Sequence, residues 1–393
     1  MDTITHAFAG ALLGKSFFSR RGPDPAAEYL PQARVAIFTA TIASAFPDID
    51  VPFNLLLHDN MRTLKYHRYV THSILMMPFW AILIALLIWW LARRVGAAPP
   101  RIGVLWLASA VGIGSHILLD VATSFGTMVW SPVSRARISW DIIFIIDFTM
   151  TALVLVPQVA AWVHHEKARA AIRASRMWAF FTLLSLGVYS LAGVAGYPFS
   201  WWVVLVASAV IGAIFFFPLS GGLGARIRRS TWARAGLVAA GSYLLLCTGA
   251  HFVALSRLEK FAAEQKISAL SMGALPQAPS MLYWNGLIRT EHGAYRLHEN
   301  LLSTKAIEYD FFPDSAPAGL LDTARKLPDT QTFLWFARFP VFTFRHIDGN
   351  NAIEMKDLQF MMRVAGRTPS FTYRVTFDAS GNIVSDGMVR SGR

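Results

Sequence analysis
The chain has 393 residues, of which 54% are hydrophobic and only 15% charged, against about 25% charged in an ordinary soluble domain. That balance excludes a soluble globular protein of ordinary composition and makes membrane residence the first expectation. The net charge of +12 raises nucleic acid as a partner to be tested, and the single cysteine, Cys247, excludes an internal disulfide framework and a cysteine-rich zinc site.

Two short apolar segments open the chain, 3–18 and 34–47, and each is able to span, re-enter or pack as a buried helix. The first is a poor signal peptide, because it starts on the acidic Asp2 and Lys15 follows its apolar stretch. Six stronger spanning segments follow at 73–92, 102–122, 142–162, 177–195, 200–218 and 235–255. Each is close to the ~20 residues that a membrane-crossing helix requires. Long apolar runs stop at Ser256, and up to there the chain holds 20 Lys and Arg against 10 Asp and Glu. Residues 257–393 hold 16 against 14. The basic excess therefore belongs to the apolar part. Of its 20 basic residues, 15 fall around 19–33 (Lys15, Arg20, Arg21, Arg34) and in the loops holding Arg93, Arg94 and Arg101, then Lys167 to Arg176, then Arg226 to Arg234. The alternate loops, 48–72, 123–141 and 196–199, carry Arg62, Lys65, Arg68, Arg135 and Arg137. By the positive-inside rule this predicts eight crossings with both termini outside, and six crossings keep the same sidedness after residue 48.

Beyond Ser256 the texture is that of a wetted domain. LEKFAAEQKISALSMGAL predicts an amphipathic helix ended by Pro276 and Pro279. Strands are predicted at 281–288, 332–339, 341–345, 371–377 and 382–389, with turns at 346–350 and 378–382. The fold class is thus an α-helical integral membrane protein of about six to eight transmembrane helices with a small C-terminal β-rich extramembrane domain. The predicted organisation is a core over 1–150, additional spans over 151–256, and an extracytoplasmic helix and β-rich domain over 257–393.

Ionisable residues are scarce in the apolar half, so their grouping is informative. Asp2 and His6 lie in MDTITHAFAGALLG, Asp48 and Asp50 in FPDID, and His67, Arg68, Thr71, His72 and Ser73 in HRYVTHS. His116, Asp120, Thr123, Ser124 and Gly126 lie in SHILLDVATSFG, and Asp141 and Asp147 follow. On the topology set by the basic loops, these groups converge on the outer face. His116 and Asp120 are four apart and share one helix face. In an extended segment Asp48 and Asp50 would point to the same side. His67 and His72 converge only if a turn intervenes. Each residue has a bland role in isolation, as a cap, an interfacial histidine or a buried hydrogen bond. Together, as costly groups at membrane depth, they point to a site of imidazoles and carboxylates suited to zinc, manganese or iron. More than four such ligands would suit a two-metal centre. Arg68, Arg135 and Arg137, on the outer side against the charge trend, are candidates for holding a substrate phosphate or carboxylate, or else lipid headgroups. His164 and His165 are expected to be solvated, His251 packed, and His58, His292, His298 and His346 peripheral.

In this order, MDTITHAFAGALLG, FPDID, HRYVTHS and SHILLDVATSFG…WSP resemble the YdjM/YfhP-type membrane-bound metal-dependent hydrolases over about residues 1–150. HRYVTHS is similar to the family's HRGxTHS-like signature, with Tyr69 in the usual Gly place. The resemblance implies His6, Asp48, Asp50, His67, His72, His116 and Asp120 as metal-binding positions, with Asp147 matching a less constant family Asp. It implies a hydrolase with one or two divalent metal ions, zinc or manganese, and with Asp48, Asp50 or Asp120 as general base. A looser analogy with zinc-dependent phospholipases C favours a phosphoester, lipid-linked substrate. A metal-handling transporter and a non-enzymatic assembly or anchoring protein are the competing readings. Spans 73–92 and 200–218 carry no ionisable residue before their ends, which disfavours a relay across the bilayer. The expected setting is an inner membrane, with lipid as partner. Nucleic acid is disfavoured, because the basic residues are divided among four loops.

Overall fold
A computed structural model describes residues 1–19, 28–52, 60–194, 199–278, 280–361 and 371–389. Arg20, Arg21, His58, Pro279 and residues 196–198 of the 196–199 loop lie outside the described residues. Two compact units emerge: Met1–Ile49, Arg68–Ser139 and Ile145–Leu245 form the first, and Asp50–His67, Trp140–Phe144 and Leu246–Arg393 the second.

The helices in chain order are α1 (Thr3–Phe17), α2 (Pro31–Ala45), α3 (Asn60–Tyr66), α4 (Met77–Arg94), α5 (Ile102–Val121), α6 (Phe148–His164), α7 (Ala170–Val194), α8 (Trp202–Phe216), α9 (Leu223–Arg226) and α10 (Arg229–Glu264). Two short ones, α11 (Ala318–Arg325) and α12 (Pro328–Phe336), follow in the C-terminal part. Among the described residues, six helical stretches are long and apolar enough to cross a membrane: Pro31–Pro52, Met77–Arg94, Ile102–Val121, Lys167–Val194, Trp202–Arg226 and Arg229–Glu264. The weaker segment 34–47 therefore belongs to a long helical stretch. The stronger segment 142–162 does not, because its helix starts only at Phe148. Asp147 causes that late start: its carboxylate accepts from the Met150 nitrogen at 2.9 Å as the N-cap, and Tyr243 donates to its other oxygen at 2.8 Å.

In the first unit, α2 packs between α1 and α5 through small residues, the usual way for membrane helices to approach closely. Ala36, Ala40 and Ala108 are buried together. Gly10 and Gly112 face α2 from the two sides, and a Cβ on either would come within 2.5 Å of the Ala40 carbonyl oxygen. That contact is backbone and cannot rotate away. Gly112→Ala is therefore expected to lower thermal stability by about 1–3 kcal/mol, read by unfolding in detergent. Unchanged stability would show that this crossing is looser than the helix spacing implies.

In the second unit, two antiparallel four-stranded sheets run in sequence order, β1-β2-β3-β4 and β5-β6-β7-β8. The strands are β1 (Ser271–Gln277), β2 (Tyr283–Thr290), β3 (Gly293–Asn300), β4 (Glu308–Pro313), β5 (Pro340–Ile347), β6 (Asn350–Asp357), β7 (Thr372–Phe377) and β8 (Ile383–Met388). Leu275, Leu287 and Ala294 of the first sheet share a core with Phe339, Val341 and Leu358. Both predicted turns are present, the first with Asp348 and Gly349 at φ 49° and 80° and the second with Gly381 at 84°, as tight hairpins favour.

Two sequence expectations fail here. The amphipathic helix stops at Glu264, with Lys266 left-handed at φ 53°, and Pro276 lies inside β1. Proline is tolerated there because β1 is an edge strand. The run 332–339 was expected as a strand, but most of it is the helix Pro328–Phe336. Pro328 starts that helix at its first turn, and the buried Thr330, Phe333 and Phe336 recur at helical spacing.

Candidate metal centre
The centre is built in the first unit from three chain segments. The α2 helix passes into a 3-10 turn, Phe46–Ile49, which carries Asp48. A second 3-10 turn, Val70–His72, carries His72. The last two turns of α5 carry His116 and Asp120 on one face. The backbone before His72 is unusual at two successive residues: Arg68 is left-handed at φ 60°, and Tyr69, at φ −94° and ψ −118°, lies outside the main regions open to residues with a Cβ.

Asp48, His72, His116 and Asp120 are all buried, and each offers one ligand atom within 4.8 Å of the others. The two Nε2 atoms are 3.0 Å apart. Asp48 Oδ1 lies 3.5 Å from each of them, and Asp120 Oδ2 lies 3.3 Å and 3.4 Å away. Despite these distances Asp120 Oδ2 has no hydrogen-bond partner among the described residues. His116 Nδ1 is 2.7 Å from the Ser44 carbonyl oxygen, so Nδ1 carries the proton and Nε2 presents its lone pair inward. His72 Nδ1 is 3.0 Å from Thr71 Oγ1. The two Nε2 atoms also meet hydrogen-bond geometry with each other, and the four electron-rich atoms directed at one another could hold a shared cation. A tetrahedral ion with bonds of about 2.0–2.2 Å would separate its ligands by roughly 3.3–3.6 Å. The donor set therefore fits a divalent metal.

The outer oxygens are held separately. Thr3 Oγ1 donates to Asp48 Oδ2 at 2.6 Å. Asp120 Oδ1 receives Arg68 at 2.8 Å, His6 Nε2 at 3.2 Å and the Met1 nitrogen. His6 is fully buried, stacks on His116 with centroids 3.6 Å apart, and stands beside the four-residue set rather than in it. Asp48 and Asp50 do not point the same way, because the segment is helical rather than extended. Asp50 instead lies 3.2 Å from His67 Nδ1, and both belong to the second unit. Asp141 forms a two-point pair with Arg338, at 2.8 Å for each contact, and Asp2 caps α1 by accepting from the Thr5 nitrogen at 2.9 Å.

Of the three candidate arginines, Arg68 is buried against Asp120 and Thr123. Arg137 donates to the Phe125 carbonyl and lies over its ring. Arg135 is exposed, with its guanidinium 5.5 Å from the centre of the Tyr69 ring. Sequence reasoning passed over Thr3 and Ser44, which orient the ligands. Thr3 stands next to the Asp2 cap, but no local pattern marks Ser44, a small residue in a helix of small residues. His164, expected to be solvated, is buried and stacks on Trp232 at 5.7 Å.

The molecule is thus a multi-pass membrane protein with a buried Asp/His centre at the end of one helix. Residues 1–196 match the YdjM inner membrane protein family. A Bacillus subtilis (strain 168) protein described as "Uncharacterized protein YfhP" is 29% identical over 150 residues, covering 37% of this chain and 42% of that protein. The chain therefore spans less than half the length of this curated relative. No solved structure matches the chain.

Proposed function
We propose that the protein is a membrane-embedded metal-dependent hydrolase acting on an anionic ester, with a lipid-linked phosphoester as the favoured substrate. The observation that supports this reading is the buried set of Asp48, His72, His116 and Asp120. A divalent ion, zinc or manganese, supplies Lewis acidity when bound and makes water a nucleophile near neutral pH. The chain's own groups do the rest. Ser44 and Thr71 fix the two imidazoles, and Thr3 fixes Asp48. Asp48 is slightly exposed, unlike Asp120, and its Oδ1 would either hold the ion or accept a proton in its place, not both at once. Arg68 and a divalent ion together outweigh the two carboxylates, so the centre carries net positive charge and favours an anionic substrate. His116 and Asp120 lie in the last two turns of α5, which supports chemistry near one membrane surface, within reach of lipid headgroups. On the charge asymmetry of the loops that surface is the extracytoplasmic one.

The test is hydrolysis of a panel of soluble and lipid-linked phosphoesters by the purified full chain. Chelator-sensitive turnover that is absent from Asp48→Asn is expected. Metal-loaded protein that cleaves no member of the panel would remove the hydrolase reading and leave only a metal-binding membrane protein.

A further inference from the structure
We propose that Arg68 makes the centre selective for zinc over manganese, by leaving Asp120 only one oxygen to offer. The inference rests on the metal-centre reading above and adds a specificity-determining role to it. Arg68 is 1% exposed. It holds a left-handed backbone that residues other than glycine seldom adopt. One terminal nitrogen lies 2.8 Å from Asp120 Oδ1. The other donates to the Asp120 carbonyl oxygen at 3.1 Å and to Thr123 Oγ1 at 3.0 Å. The guanidinium sits 4.9 Å from the Phe125 ring centroid, and the Arg68 carbonyl accepts from the Met128 nitrogen at 3.1 Å. Arg68 therefore ties the end of α5 to the turn that carries His72, four residues further on.

This arrangement divides the two oxygens of Asp120. Oδ1 is covered by Arg68, by His6 Nε2 and by the Met1 nitrogen. Oδ2 has no hydrogen-bond partner and faces both Nε2 atoms. Asp48 is divided in the same way, with Oδ2 on Thr3. Each carboxylate thus presents one oxygen, and with the two imidazoles the centre presents four donors. Zinc is satisfied by four donors in a tetrahedron. Manganese is harder and favours oxygen-rich, octahedral surroundings. A carboxylate that turns to bind through both oxygens is the nearest source of an extra donor. A guanidinium placed on Oδ1 by one nitrogen and anchored by the other on the Asp120 carbonyl oxygen and Thr123 Oγ1 prevents that turn, whereas the Thr3 hydroxyl is a weaker, neutral restraint on Asp48.

The test compares zinc and manganese dissociation constants for the detergent-purified full chain and for Arg68→Met and Arg68→Lys. Loss of the positive charge acts on both divalent ions alike and cancels in their ratio, as does a general loosening of the site. In Arg68→Met the preference for zinc over manganese is expected to fall at least tenfold. Arg68→Lys, which keeps the charge but replaces the planar two-nitrogen fork with a single nitrogen, is expected to fall between that variant and the wild type. If Arg68→Met does not fold, the fall in Arg68→Lys carries the test. A zinc preference unchanged in the folded variants would overturn the role of Arg68 while leaving the metal centre standing. Wild-type protein that binds neither ion would instead overturn the metal-centre reading, and this inference with it.

Discussion
His72→Ala is expected to reduce bound metal from stoichiometric to below a tenth, and to cost the metal-free protein only what a cavity at a fully buried side chain costs. His72 contributes one of four donors, and its loss leaves no buried charge without a partner. Asp120→Asn is expected to lose metal equally but to weaken the metal-free protein as well. Its carboxylate is the partner of Arg68, and both are buried. Removing one member of a buried ion pair costs roughly 3–5 kcal/mol, because the other charge remains out of water. A metal present at a thousandfold its dissociation constant would add about 4 kcal/mol to stability. The wild type should therefore unfold at a lower temperature after chelation, and neither variant should respond to the chelator. Elemental analysis and thermal unfolding with and without chelator measure both effects. Full metal content in purified His72→Ala would remove His72 from the ligand set. Metal-free stability of Asp120→Asn equal to that of the metal-free wild type would mean that Asp120 does not neutralise Arg68.

The four donors were legible in the sequence because charge is expensive inside an apolar chain. His116 and Asp120 are four apart in a segment that is otherwise apolar, and a helix puts them on one face. Asp48 and His72 were legible as types but not as partners, because short 3-10 turns decide where they point. The turn at Asp48 separates it from Asp50, a pair that an extended reading put on one side, and the turn at His72 does not add His67 to the set. His6 was legible as an ionisable group at depth, and only its stacking on His116 shows that it flanks the set. In the β-rich part, hydrophobic alternation located β2, β5, β7 and β8. It did not locate β1, β3, β4 or β6; in β3, Arg296 and Glu299 are buried and break the apolar pattern. The helix over Pro328–Phe336 was hidden for the opposite reason, since a short aromatic run reads equally as strand or helix until the proline at its start is given weight.

Glu299→Gln is expected to stabilise the second unit by about 3 kcal/mol at pH 8 and by only about 1 kcal/mol at pH 5. Glu299 lies on β3, opposite Trp284 of β2. It is 4% exposed, and neither carboxylate oxygen has a hydrogen-bond partner among the described residues. One oxygen sits where a Cβ on Gly286 would meet both it and Leu258 of α10, in the seam where Leu258, Phe261 and Ala262 pack on Ile288 and Leu297. Burial in that apolar seam pushes the carboxyl from its ordinary 4.5 up to about 7. Arg257 pulls the other way, but its terminal nitrogens donate to the carbonyls of Asn300 and Leu301. The folded state therefore holds this proton more tightly than the unfolded chain does. Its contribution is complete below about pH 4.5, declines as pH rises, and is lost above about 7. A shift of that size corresponds to about 3 kcal/mol. Glutamine keeps the shape of the protonated acid and removes the titration, so the two proteins should diverge only as the pH climbs. Denaturant unfolding of the full chain at pH 5, 6, 7 and 8 measures the divergence. Parallel curves across that range would show that Glu299 keeps its charge in the fold, through a water or a cation reaching the seam.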